Sequence, residues 1–143
     1  MPCQFCNYEK MREATIYSDK DVYVAISHEP LSYGHILIIP MKHISRLEEM
    51  NDTQMIHLFR VTRNLIPKLL KAINAKDYNL FINAGVRANQ SVPHLHVHIV
   101  PRTMCRDHLD TFFSELSKRK GRPLSRKTMS RMSSLIRQRV HLS

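Results

Sequence analysis

The chain has 143 residues, 43% of them hydrophobic and 24% charged, which suits a single domain with a core worth burying. No run of about 18 apolar residues appears, which excludes a membrane-spanning helix. The first residues lack a basic segment followed by an apolar one, and three cysteines are an odd number. Both features argue against export and a disulfide framework, so thiols that are free or on a metal are expected, in the cytoplasm. The net charge of +10 is unevenly spread: residues 1–116 hold 13 Lys and Arg against 12 Asp and Glu, and residues 117–143 hold nine against none. The basic character belongs to the tail, so the pI of the whole chain says little about function.

Cys3 and Cys6 open the chain with the spacing of a zinc ligand pair. A thioredoxin-like redox pair is the rival reading, but it expects the cysteines after a strand and at the start of a helix. In Asp21–Ile26, Val22, Val24 and Ile26 share one face at period two, which predicts a strand. Pro30 and Gly34 mark a turn before the apolar run from His35 to Ile39, ended by Pro40 and predicted to be a fully buried strand. Asn51, Asp52 and Thr53 supply helix-entry chemistry. Met55, Ile56, Phe59, Ile66, Leu69, Leu70 and Ile73 then recur at helical steps, with a kink or break expected at Pro67. Tyr78–Ile82 predicts another strand, Gly85–Gln90 a loop, and His94–Val100 a strand ended by Pro101. Connections too short for parallel crossovers give an α+β fold, an antiparallel sheet covered by a helix. With only three glycines, the turns must rely on Asn, Pro and Asp.

The run His94-Leu95-His96-Val97-His98-Ile99-Val100 carries most of the information. On a strand it would line one face with three imidazoles, an expensive arrangement because each buried ring nitrogen needs a partner. A solvated histidine-rich edge and a three-histidine metal site are the alternatives. The flanking residues decide between them. Phe81-Ile82-Asn83-Ala84-Gly85, then Gln90-Ser91-Val92-Pro93 leading into the histidines, and Pro101-Arg102 after them, resemble the histidine-triad nucleotide hydrolases and transferases. The segment Pro30-Leu31-Ser32-Tyr33-Gly34-His35-Ile36-Leu37-Ile38-Ile39-Pro40-Met41-Lys42-His43 is similar to a second stretch of that family.

The resemblance implies a histidine-triad-like fold, a five-stranded antiparallel sheet with a main helix, in a catalytic domain over 1–116. It also implies a homodimer and a purine nucleotide substrate. His96 would attack the α-phosphorus, and a neutral imidazole can do so without a dedicated base. Water would then release a nucleoside monophosphate from the nucleotidyl-histidine. His98 would hold the non-bridging phosphate oxygens, Gln90 and Ser91 the bridging oxygen or leaving group, and Asn83 the phosphate. Ser27 stands where the family usually places the Asp or Asn that binds the ribose, and Asn89 replaces a usual Gly. A branch of the family carries the same cysteine pair, which implies a structural Cys2His2 zinc on Cys3, Cys6, His43 and His94. Cys105 and His108 are a rival pair, and Cys105 reads better as a partly buried thiol.

The tail, 117–143, is predicted to run from a linker over Lys118–Pro123 into a helix from about residue 125. Met129, Met132, Leu135, Ile136 and Val140 form its apolar stripe, opposite a basic face. It either packs on its own body or a dimer partner, or contacts nucleic acid or an anionic membrane surface. The expected function is hydrolysis of a nucleoside phosphoramidate or dinucleoside polyphosphate. The alternatives are a dinucleoside polyphosphate phosphorylase and a nucleic-acid-associated deadenylase or scaffold that uses the tail.

Overall fold

A computed structural model describes residues 2–103 and 123–140. The proposed domain boundary at 116/117, most of the linker, Cys105 and His108 lie outside the described residues. Five strands, β1 (Thr15–Ser18), β2 (Val22–Ile26), β3 (Ile36–Pro40), β4 (Asp77–Ile82) and β5 (Val97–Arg102), form one antiparallel sheet. Its order is β1-β2-β3-β5-β4. β2 and β3 are buried along their whole length, because both faces of the sheet are covered. The Asp19 carboxylate holds the β1–β2 turn, accepting the backbone N–H groups of Asp21 and Val22 at 2.8 Å each.

Of the helices, α1 (Tyr8–Met11) is a single turn, α2 (Asp52–Ile73) is the main helix and α3 (Arg126–Arg139) comes from the tail. α2 starts in a reciprocal cap: the Asn51 side chain accepts from Gln54 N–H, and the Gln54 side chain accepts from Asn51 N–H. It ends at Asn74 in the left-handed region (φ 56°), where an Asn does the work of the missing glycine. Gly34, by contrast, must be glycine. Its φ is 83°, and a Cβ there would lie 2.7 Å from the Ile73 side chain.

Two apolar clusters sandwich the sheet. On one face Val22, Val24, Ile36, Ile38, Val97 and Ile99 meet α2 and α3, and on the other Tyr23, Ala25, Leu37 and Ile39 meet Phe5, Ala14 and Val92. α3 adds Met132, Ile136 and Val140 to the first cluster, so the tail packs on its own body. Several of its basic groups are engaged there. Arg126 meets Glu13 at 2.8 Å, Arg139 donates to the Ala72 carbonyl at 2.7 Å, and Arg137 donates to the Thr15 carbonyl. Leu135, expected on the apolar stripe, instead points outward at 43% exposure.

Three further expectations change. The helix runs through Pro67 without a break, because Leu65 and Leu69 are fully buried on either side and Pro67 faces solvent, where the carbonyl it strands can be hydrated. The buried stripe is Leu58, Val61, Thr62, Leu65 and Leu69; of the expected set Leu69 belongs to it, Phe59, Ile66 and Ile73 pack half-buried against the same cluster, and Ile56 is 55% exposed. The expected and buried stripes overlap and share one helical spacing, and packing sets where the centre of the stripe falls. β5 begins at Val97, not His94, and continues through Pro101. Past Ile99 its one strand neighbour among the described residues is β4, so a missing N–H is tolerated. Among the described residues, no helix is long and apolar enough to cross a membrane.

Candidate active site

His94, Leu95 and His96 form the approach to β5, and His98 lies on the strand. His98 faces away from α2, beside its cross-strand partners Leu37 on β3 and Phe81 on β4. Phe81 stacks on it, with ring centres 4.4 Å apart and planes within 7°. The rings of His96 and His98 are 4.7 Å apart, and Phe5 packs edge-on against His96 at 5.2 Å.

The hydrogen bonds fix which nitrogen of each imidazole carries its proton. His96 Nδ1 lies 2.7 Å from the His94 carbonyl, which can only accept, so Nδ1 holds the hydrogen and Nε2 keeps its lone pair. Burial, only partly offset by that hydrogen bond, holds the His96 pKa below the usual histidine value and keeps the ring neutral.

A second chain runs from the backbone. Leu31 N–H donates to His35 Nδ1 at 3.0 Å, so the His35 proton is on Nε2 and is donated to His98 Nδ1, also at 3.0 Å. His98 must then carry its own proton on Nε2, which is buried and has no hydrogen-bond partner among the described residues. Burial, reinforced by neighbouring imidazoles, pushes His35 down to about 3 and His98 down to about 2, so both remain neutral.

His94 is turned the other way. Its Nε2 donates to the Pro40 carbonyl at 2.8 Å, which leaves Nδ1 as a free lone pair. That nitrogen sits 3.4 Å from Cys3 Sγ and 3.6 Å from Cys6 Sγ, and His43 Nδ1 is 3.2 Å from Cys6 Sγ. The four ligand atoms all lie within 4.8 Å of one another. A tetrahedron with zinc–sulfur and zinc–nitrogen bonds of ordinary length has nitrogen–sulfur edges of about 3.5 Å, so the residues fit such an ion. The Pro40 carbonyl supplies the outer hydrogen bond that orients a ligating imidazole.

A pocket of about 500 Å³ opens over the second face of the sheet. His96, His98, Asn83, Asn89 and Ser91 line one end, and Ser27, Ile26, Ala14 and Met11 continue the wall toward β1. A model of the HIT domain matches residues 9–104. The chain belongs to the HIT domain family. It is 35% identical over 97 residues to an asymmetrical bis(5'-nucleosyl)-tetraphosphatase of Schizosaccharomyces pombe, covering 67% of this chain and 53% of that one. It is 37% identical over 73 residues to an adenosine 5'-monophosphoramidase of the same yeast, covering 51% and 52%. The chain thus spans about half the length of these relatives. A zinc-bound histidine triad family protein from Mycobacterium smegmatis superposes with a TM-score of 0.73 at 25% identity, covering 96% of this chain and 95% of that one.

Within this HIT fold, most of the residues singled out from the sequence gather around the pocket or the cysteine cluster. Ser27, Asn83, Ser91, His96 and His98 line the pocket. Gln90 does not: its side-chain oxygen accepts from Gly85 N–H at 2.7 Å and its NH2 donates to the Ser45 carbonyl at 2.9 Å. These two hydrogen bonds at opposite ends of the amide brace the loop that carries Asn89 and Ser91. Asn89 occupies the left-handed region (φ 63°), the conformation that a Gly at this position would supply. Sequence reasoning gave no role to His35 or Phe5. The Gly34-His35 pair was visible as a motif, but the partner of His35 lies 63 residues away.

Proposed function

We propose that this HIT-domain chain is a nucleotide hydrolase that cleaves at the α-phosphate of a nucleoside phosphoramidate or dinucleoside polyphosphate. One observation carries the reading: the His94 carbonyl takes the His96 Nδ1 hydrogen at 2.7 Å and leaves a neutral Nε2 lone pair in a pocket rich in donors. In the first step that lone pair forms a nitrogen–phosphorus bond, and the bond to the leaving group breaks with its electron pair. The His98 Nε2–H, with no partner among the described residues, donates to a non-bridging oxygen as charge develops. Ser91 hydroxyl and Asn83 amide serve the leaving group and the phosphate, with Gln90 positioning their loop. Water then attacks phosphorus from the side the leaving group vacated, the nitrogen–phosphorus bond breaks, and the monophosphate leaves.

Cys3, Cys6, His43 and His94 would hold a structural zinc. When bound, the ion ties the N-terminal segment to the approach of β5, and four protein ligands leave it no open position for substrate. We further propose a homodimer through the edge of β4, which pairs only with β5 among the described residues and where Tyr78 and Leu80 are 43% and 40% exposed.

The test offers diadenosine polyphosphates, an adenosine phosphoramidate and adenylated DNA to wild type and to His96→Ala, with and without inorganic phosphate. Turnover of the small substrates, lost in the variant and accompanied by an acid-labile adduct on His96 in quenched wild type, supports the reading. A diphosphate product formed with added phosphate would make the enzyme a phosphorylase, and turnover confined to adenylated DNA would make it a deadenylase. Small-substrate activity surviving in His96→Ala would end the mechanism.

A further inference from the structure

The match to the HIT domain ends at residue 104, yet the pocket wall does not: Arg126 and Met129, on the first turn of α3, also line it. They sit far from the phosphate end. Cross-strand partners run from His98 on β5 to Leu37 on β3, to Ala25 on β2 and to Thr15 on β1. Three interstrand steps make about 14 Å. The pocket follows this row, with histidines at one end and Ala14, Glu13 and α3 at the other.

The start of α3 is tied to both walls of that far end. Leu124 N–H donates to the His28 carbonyl at 2.9 Å, next to Ser27, while Arg126 meets the Glu13 carboxylate at 2.8 Å and Ser133 donates to the Glu13 carbonyl at 2.6 Å. Between these anchors Met129 packs, half-buried, against the cluster of Phe5, Ala14, Leu37 and Val92, unlike Met132 and Ile136, which turn to the opposite face of the sheet.

We infer that Met129 is a specificity-determining residue whose thioether contacts the nucleobase, so that α3 closes the base end of the pocket. The inference rests on the nucleotide reading above, with the phosphate at His96 and His98. A nucleoside phosphate laid along the row places its ribose near Ser27 and its base against Met11, Ala14 and Met129. These are apolar groups that suit the face of a flat ring, and a polarizable sulfur favours an aromatic neighbour. α3 is therefore a part of the substrate site and not only a cover for the core.

The experiment titrates AMP and ribose 5-phosphate into the full chain by calorimetry, for wild type, Met129→Ala and Met129→Leu. Met129→Ala should weaken AMP about five- to tenfold and leave ribose 5-phosphate unchanged, while Met129→Leu, which keeps the packing volume, should keep most of the AMP affinity. AMP binding unaltered in Met129→Ala, or equal weakening of both ligands, would overturn the inference alone. Wild type that binds neither ligand would instead remove the nucleotide reading and this inference with it. An AMP-selective loss in a protein that forms no adduct on His96 would leave this inference standing and remove only the covalent chemistry.

Discussion

His35 donates its Nε2–H to His98 Nδ1 at 3.0 Å, because its own Nδ1 is already occupied by the Leu31 amide. Two residues 63 positions apart thereby set a proton on the far nitrogen of His98, where the pocket needs a donor. A neutral imidazole has two tautomers of similar energy, and His98 would otherwise divide its population between them. The buried backbone amide of Leu31 thus decides the chemistry of a ring it never touches.

Removing that donor should cost rate more than binding. His35→Ala should lower kcat on an adenosine phosphoramidate by about 10- to 100-fold, with KM changed by less than about threefold. His35→Gln, whose amide can still donate to His98, should recover part of the loss. A fall confined to KM would show that His35 only shapes the pocket.

The same pair makes folding sensitive to acid. His35 and His98 titrate at about 3 and about 2 in the folded chain, against 6.5 as the ordinary value. Between roughly pH 3 and 6.5 the unfolded chain therefore binds more protons, and stability rises with pH. It is complete above about 6.5 and is lost as pH falls below it, at about 1 kcal/mol per pH unit for each ring. Urea midpoints at pH 7 and pH 5 should differ in wild type and differ less in His98→Asn. Equal pH dependence in the two proteins would contradict this.

Purified untagged protein should contain one zinc per chain by elemental analysis. Cys3→Ser should lose the metal and lower Tm by about 10 °C, because a closed structural site contributes directly to folding. Activity per folded molecule should fall little at temperatures well below the new midpoint, since no coordination position is open to substrate. A metal-free wild type of unchanged Tm would remove the Cys2His2 proposal.

Ser27 lines the pocket at 6% exposure, with its backbone amide donating to the His35 carbonyl at 2.9 Å, and is proposed to meet the ribose. A serine hydroxyl offers two ribose hydroxyls one neutral oxygen, where a carboxylate offers two charged ones. Ser27→Asp should therefore raise the preference for AMP over its 2'-deoxy analogue by about tenfold, read as the ratio of Kd values. An unchanged ratio would move the ribose elsewhere in the pocket.

The local features were legible in the residues themselves. Period-two and β-branched runs marked β2, β3 and β4, and Asn51 announced the start of α2. Cys3 and Cys6 had the spacing of a metal-ligand pair and His94, His96 and His98 that of one strand face, signals that depend on neighbours within a few positions, while the phosphate chemistry and the partners His43 and His94 came from the resemblance to a family. Which helical stripe meets the sheet, where β5 begins, and which way each imidazole faces depended on contacts between distant segments. His94 turns Nδ1 to the cysteines because the Pro40 carbonyl accepts its Nε2–H, and the Gln90 amide bridges Gly85 and Ser45, which lie 40 positions apart in the chain. A tautomer is set by whichever donor or acceptor the fold brings within about 3 Å, and for His94 and His98 that partner lies 54 and 63 positions away in the chain.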